Sequence, residues 1–152
     1  MRKIIMVLAV FLATALSAQE DPNAWVRALG DKGTADQGDG ARLVALLDGA
    51  TVAGPAEAIA HLQKKGIIKG GYDANKPLTL GTLALLVMRT KGYKGGLFWT
   101  IFGGPRYAHR ELVYKKILPA SESEYGKVSG GLLLAVIARV KGDVPLEIKE
   151  VK

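Results

Sequence analysis

Residues 106–142 restate residues 56–92 at a fixed offset of fifty, without a gap. Leu62, Lys65, Ile67, Gly81, Leu83, Arg89, Lys91 and Gly92 meet Leu112, Lys115, Ile117, Gly131, Leu133, Arg139, Lys141 and Gly142, and Ala58 meets Ala108. Near-matches fill the gaps: Ile68 with Leu118, Leu78 with Val128, Thr79 with Ser129, Val87 with Ile137. A fixed period with recurring apolar positions marks a supersecondary unit that buries its face only against copies of itself. Such scaffolds bind more often than they catalyse.

Each unit has the pattern of two helices. Pro55 suits the first turn of a helix, Ala58, Ile59 and Leu62 make its apolar face, and Gly66 ends it. Ile67-Ile68 reads as a short extended pair, and Gly70 to Pro77 as a turn-rich loop. Thr79 is the expected N-cap of a largely buried second helix that ends at Gly92. The next unit follows suit, with a helix from Pro105 through Lys116, the pair Ile117-Leu118, a loop from Pro119 to Gly126, and Ser129 capping a helix to Gly142.

A worn third copy lies upstream. Ala24–Leu29 leads to Gly33, and Asp39–Leu47 resembles the second helix, with Asp39 as N-cap and Gly40 in the place of Gly81. The expected fold is therefore mainly α: a repeat bundle of two to three helix-loop-helix units with short extended segments. The units span about 22–50, 55–92 and 105–142 within one domain, 19–152, and the tail 143–152 alternates like a strand over Val144–Val151.

The first eighteen residues stand apart. Arg2 and Lys3 precede an apolar run from Ile4 to Leu16, and Ala15-Leu16-Ser17-Ala18 supplies small residues for cleavage before Gln19. That is the pattern of an export signal. Cysteine is absent, so packing alone has to stabilise the fold. Charge is unevenly placed: residues 19–54 carry a net −3 and residues 55–152 a net +8. The basic part suggests an anionic partner, a cell-wall polymer, a membrane surface or an acidic protein face. Nucleic acid is not expected, since export argues against it and no recognition-helix pattern occurs.

The run Ala58-Ile59-Ala60-His61-Leu62-Gln63-Lys64-Lys65-Gly66-Ile67-Ile68-Lys69-Gly70, continued by Lys76-Pro77-Leu78-Thr79 and Leu83–Arg89, resembles the S-layer homology repeat. The similarity is strongest over 56–92, weaker over 106–142 and weakest over 24–49. It implies a three-pronged helical spindle that holds an exported protein to cell-wall polysaccharide. That family reads its ligand with a Thr-Arg-Ala-Glu stretch, whereas the matching positions here are Thr79-Leu80-Gly81-Thr82 and Ser129-Gly130-Gly131-Leu132. The capping hydroxyls are kept and the charged pair is missing from both copies.

Catalytic patterns are sparse. His61 and His109, the only histidines, are expected as partly exposed helix residues without further metal ligands at regular spacing. Asp31, Asp36 and Asp39 crowd a Gly-rich stretch but miss the calcium-loop order, with Gly38, Gly40 and Leu47 where ligands would stand. No Gly-x-Ser-x-Gly or phosphate-cradling spacing occurs, and Glu57, Asp73, Glu111, Glu122 and Glu124 show no pairing. No metal and no cofactor is expected, and a small hydrolase is the weakest reading.

One segment departs from the repeat. Gly95-Gly96 and Gly103-Gly104 bracket Leu97-Phe98-Trp99-Thr100-Ile101-Phe102, flanked by Tyr93 and Tyr107. It is either a connector buried along the bundle axis or a projecting anchor, and the paired glycines favour access for Phe98 or Trp99. The candidate contact residues are Tyr93, Lys94, Phe98, Trp99, Phe102, Arg106 and Tyr107. The function expected is that of a non-enzymatic, exported envelope protein attached to cell-wall polymer or an envelope component. The alternative is an interaction subunit of a periplasmic or surface assembly that binds no sugar.

Overall fold

In a computed structural model, residues 23–142 are described, and they form helices α1 (Ala24–Gly30), α2 (Gln37–Leu47), α3 (Pro55–Lys64), α4 (Leu80–Lys91), α5 (Leu97–Phe102), α6 (Pro105–Tyr114) and α7 (Gly130–Gly142). The export-signal pattern at 1–18 and the alternating tail at Val144–Val151 lie outside these residues. No helix among the described residues is long and apolar enough to cross a membrane.

Three of the helices start the same way with three different side chains. Thr79 Oγ1 accepts from the Thr82 N–H at 3.3 Å, Ser129 Oγ from the Leu132 N–H at 3.2 Å, and Asp36 Oδ1 from the Asp39 N–H at 2.8 Å. At Asp36 the cap is reciprocal, because Asp39 Oδ2 accepts from the Asp36 N–H at 3.1 Å. Each satisfies a main-chain donor that a helix start otherwise leaves unpaired. The cap of the worn copy is thus Asp36, not Asp39, and Gly38, not Gly40, occupies the place of Gly81. In isolation Asp39-Gly40 also has the pattern of a helix start, three residues past the cap that forms and two past the matching glycine.

The residues just before these caps close a ring. Leu78 N–H donates to the Ala35 carbonyl at 2.9 Å, Val128 N–H to the Leu78 carbonyl at 3.0 Å, and Ala35 N–H to the Val128 carbonyl at 2.7 Å. All three residues are fully buried. Each gives one hydrogen bond and takes one, so the ring leaves none of these groups unpaired in the interior. Outside it, Gln37 N–H reaches the Lys76 carbonyl, Leu80 N–H that of Gly126, and Gly130 N–H that of Lys32, at 2.8, 2.9 and 2.9 Å. The second helix of each unit therefore docks its head on the loop of the next unit, and the third docks on the first.

Side-chain packing follows the same circuit. Helix α3 covers α2, α6 covers α4, and α1 covers α7. The first helix of each unit lies over the second helix of the unit before it, with α1 closing the circle. Leu62 and Leu112 occupy matching buried positions, as do Leu83 and Leu133, and all four are fully buried. Burial of this kind contributes roughly 1.5–3 kcal/mol per large aliphatic side chain.

The extended pairs lie elsewhere than expected. Ile67 and Ile68 both donate to the Leu62 carbonyl, and Ile117 and Leu118 both donate to that of Leu112. These are tight turns that tuck two apolar side chains under the helix they follow. Antiparallel bridging occurs instead between Asp36 and Pro77 and between Thr79 and Lys127, beside the ring, and no strand forms among the described residues. Helix α6 also stops two residues short of Lys116. Lys116 adopts φ 58°, where its counterpart Gly66 has φ 71°.

Candidate functional site

The seven contact residues expected from the sequence divide into groups. Phe98, Phe102 and Tyr107 come together as a stack with ring centroids 6.4, 6.0 and 5.3 Å apart. Trp99 faces the other way and packs half-buried against the core. Tyr93 stands apart under the Lys115 ammonium, 5.3 Å from its ring centre. Lys94 is exposed beside Gly95-Gly96, and Arg106 is exposed with its Nε 3.9 Å from Glu124.

The segment between the glycine pairs is a helix, not a buried connector, and it has no buried residue. Gly96 N–H donates to Glu111 Oε1 at 2.7 Å, Thr100 Oγ1 donates to the Gly96 carbonyl at 3.2 Å, and Gly103 ends the helix at φ 56°. Trp99 lies so close over Gly95 that a Cβ there would meet its ring at 2.5 Å. The first glycine pair therefore serves close packing, and the projecting helix is held at both ends.

Thr79 and Ser129 are structural. Their hydroxyls cap α4 and α7 next to the main-chain ring, and the two residues are only partly exposed. His61 and His109 differ from each other. His61 Nε2 lies 2.7 Å from Asp48 Oδ2, and Lys65 Nζ lies 2.6 Å from the same oxygen. The Lys65 ammonium, with His61 beside it, holds the Asp48 carboxyl below the usual range despite some burial. His109, expected to be partly exposed, is buried on α6 with Nε2 lacking a hydrogen-bond partner. Burial keeps its imidazole below the ordinary value, against the opposing charge of Glu124.

The acidic residues weighed for chemistry are engaged locally. Glu57 accepts from the Ala53 N–H, Asp73 from the Asn75 N–H and Glu111 from the Gly96 N–H. Asp36 and Asp39 hold their helix cap, with Lys32 Nζ on both carboxylates.

A cleft of about 320 Å³ opens between the 67–76 turn and α4, at residues the sequence does not single out as a site. Lys69, Lys76 and Arg89 line it together with Tyr72, Thr82 and the Gly70-Gly71 main chain, and no carboxylate belongs to the lining. Arg89 is oriented by donating Nη1–H to the Ile67 carbonyl at 2.9 Å. Tyr72 donates its hydroxyl to the Gln37 carbonyl at 2.9 Å. Burial, with the charge of Asp36, pushes that phenol well above its usual range, so Tyr72 stays a neutral wall. Gly71, at φ 83°, turns the chain into the loop.

A signal for the cleft existed in the differences between units. At the same offset Lys69, Tyr72 and Lys76 become Pro119, Glu122 and Gly126, and only Arg89 is matched, by Arg139. The loop is basic and aromatic in one unit and acidic in the next, and this difference sets the two units apart. No protein-family model matches this chain, and no curated protein and no solved structure matches it either.

Proposed function

We propose that this chain is a non-catalytic, exported binding module of the bacterial envelope that attaches to anionic cell-wall polymer through the cleft of the second unit. The observation that carries this reading is the lining itself: Lys69, Lys76 and Arg89 converge beside Tyr72 with no carboxylate among them. Cations gathered in a concave surface raise the local concentration of an anionic ligand. The fixed Arg89 fork suits phosphate or carboxylate, and the aromatic wall offers a sugar ring an apolar face. The resemblance of residues 56–92 to S-layer homology repeats points to the same ligand class. The missing Thr-Arg-Ala-Glu pair is offset here by cations from the loop rather than from the helix head.

Co-sedimentation with purified sacculi that retain their anionic polymer tests the proposal. The protein should pellet at low salt, release as salt rises, and lose binding in a Lys69→Ala/Lys76→Ala variant that unfolds like the parent. Exposed ion contacts are screened within about 8 Å at physiological ionic strength, so the salt response should be steep. Failure to pellet at low salt, with retention on immobilised envelope proteins, would replace this reading with that of an assembly subunit.

A further inference from the structure

Helix α5 carries its apolar face outward. Leu97, Phe98, Ile101 and Phe102 are 70%, 59%, 60% and 60% exposed, and they fall at i, i+1, i+4 and i+5 on one side of the helix. Trp99, on the opposite side, ties the helix to the core. A surface helix normally has the reverse arrangement. Four large apolar side chains clustered on one projecting element are not the scattered single exposures that every soluble protein shows. The helix is also built rather than loose, with Gly96 bonded to Glu111 at its start and Gly103 in the left-handed conformation at its end.

Cations stand at both ends of α5. Lys94, Arg110 and Lys115 border the hollow beside Gly95-Gly96, where α5 begins, and Arg106 follows its end with 70% of its side chain exposed. The neighbouring carboxylates are engaged: Glu111 Oε1 accepts from Gly96, and Glu124 lies 3.9 Å from Arg106. An apolar face with cations at both of its ends fits a surface with apolar interior and anionic exterior. It does not fit a second copy of the chain, because a two-fold contact that runs the two α5 helices antiparallel would set Lys94 and Arg110 at one end against Arg106 at the other end of the copy.

We propose that α5 is a foot on anionic phospholipid bilayer. Leu97, Phe98, Ile101 and Phe102 enter the boundary between headgroups and acyl chains, and Lys94, Arg106 and Arg110 meet the lipid phosphates. The stacked Phe98, Phe102 and Tyr107 rings sit at the depth that aromatic side chains favour. A helix of six residues is about 9 Å long, so it lies on the bilayer and does not cross it. Such a contact is reversible and needs apolar and ionic parts together. This surface shares no residue with the lining of the cleft in the second unit, and vesicles hold no wall polymer, so the two proposals stand or fall separately.

The test uses residues 19–152, which contain every described helix and exclude the apolar run Ile4–Leu16. Flotation with phosphatidylglycerol/phosphatidylcholine vesicles is compared with flotation on phosphatidylcholine alone. Binding should be strong on the anionic vesicles and weak on the neutral ones. Ile101→Asp should abolish it with unchanged thermal unfolding, since Ile101 is exposed and outside the aromatic stack. Lys94→Gln/Arg110→Gln should weaken it by roughly thirtyfold, the effect of two basic residues near an anionic leaflet. Equal binding to both vesicle types, or binding untouched by Ile101→Asp, would overturn the proposal. So would a solution dimer that Ile101→Asp dissolves, which would assign the face to a second copy.

Discussion

Gly130, at the head of α7, lies against the main-chain carbonyl of Leu29 and has no room for a Cβ. This is where the third unit closes on the first, alongside the hydrogen bond from Gly130 N–H to the Lys32 carbonyl. The neighbouring Gly131 is different, since a Cβ there would meet the Gly30 carbonyl at an ordinary 3.7 Å. Closure of the circuit therefore depends on one glycine of the pair.

Gly130→Ala should lower stability by about 1–3 kcal/mol, because main chain cannot turn aside as a flexible side chain would. Gly131→Ala should be neutral or gain up to about 1 kcal/mol from the reduced freedom of the unfolded chain. Urea unfolding of the two variants checks the contrast. Equal effects would mean that the Leu29 contact does not hold the ring shut.

Leu62→Ala, Leu112→Ala, Leu83→Ala and Leu133→Ala should each cost about 2–5 kcal/mol, since all four side chains are fully buried at paired positions of the repeat. Two or more of them within experimental noise would contradict equivalent packing of the two units.

Lys116 holds a left-handed conformation that its repeat counterpart, Gly66, adopts without a side chain. The conformation costs a side-chain-bearing residue roughly 1–2 kcal/mol, part of which glycine returns as added freedom when unfolded. Lys116→Gly should accordingly stabilise by about 0.5–1 kcal/mol. Gly66→Ala should destabilise, although nothing lies within 4 Å of the added Cβ. Thermal midpoints of opposite sign in the two variants are the expected result.

His109 makes stability depend on pH. Its folded pKa lies below the ordinary 6.5, so near neutral pH the unfolded chain binds more protons than the folded one. The stability tied to the neutral ring is present above the unfolded value and is lost as pH falls through the depressed folded one. Thermal midpoints should therefore fall between about pH 7 and 5, and His109→Gln should flatten that step. Asp48 adds to the pH dependence only in acid: its carboxyl is held below the ordinary 3.8, so its stabilisation is present above that value and is lost as pH falls through the depressed folded one. An undiminished step in His109→Gln would move the titration to another group.

The local signals were legible in the residue order. The prolines that open α3 and α6, the hydroxyl caps at Thr79 and Ser129, and the glycines after α3 and α4 act within one helical turn of their own position, and the offset of fifty shows most of them twice. A chain read in sequence contains them whole, and from them came the mainly helical units and the matched leucines. Tertiary contact decided the rest. Whether Asp36 or Asp39 capped α2 depended on the ring through Ala35, Leu78 and Val128, whose members stand far apart in the chain. His109 was buried by neighbours that helix periodicity does not specify. The cleft exists because the 67–76 turn folds against α4, bringing Lys69, Lys76 and Arg89 to one surface. The outward face of α5 likewise follows from which side Trp99 found the core. Hydrophobicity alone would have turned all of those side chains inward, but α5 had one contact side to offer, and Trp99 took it.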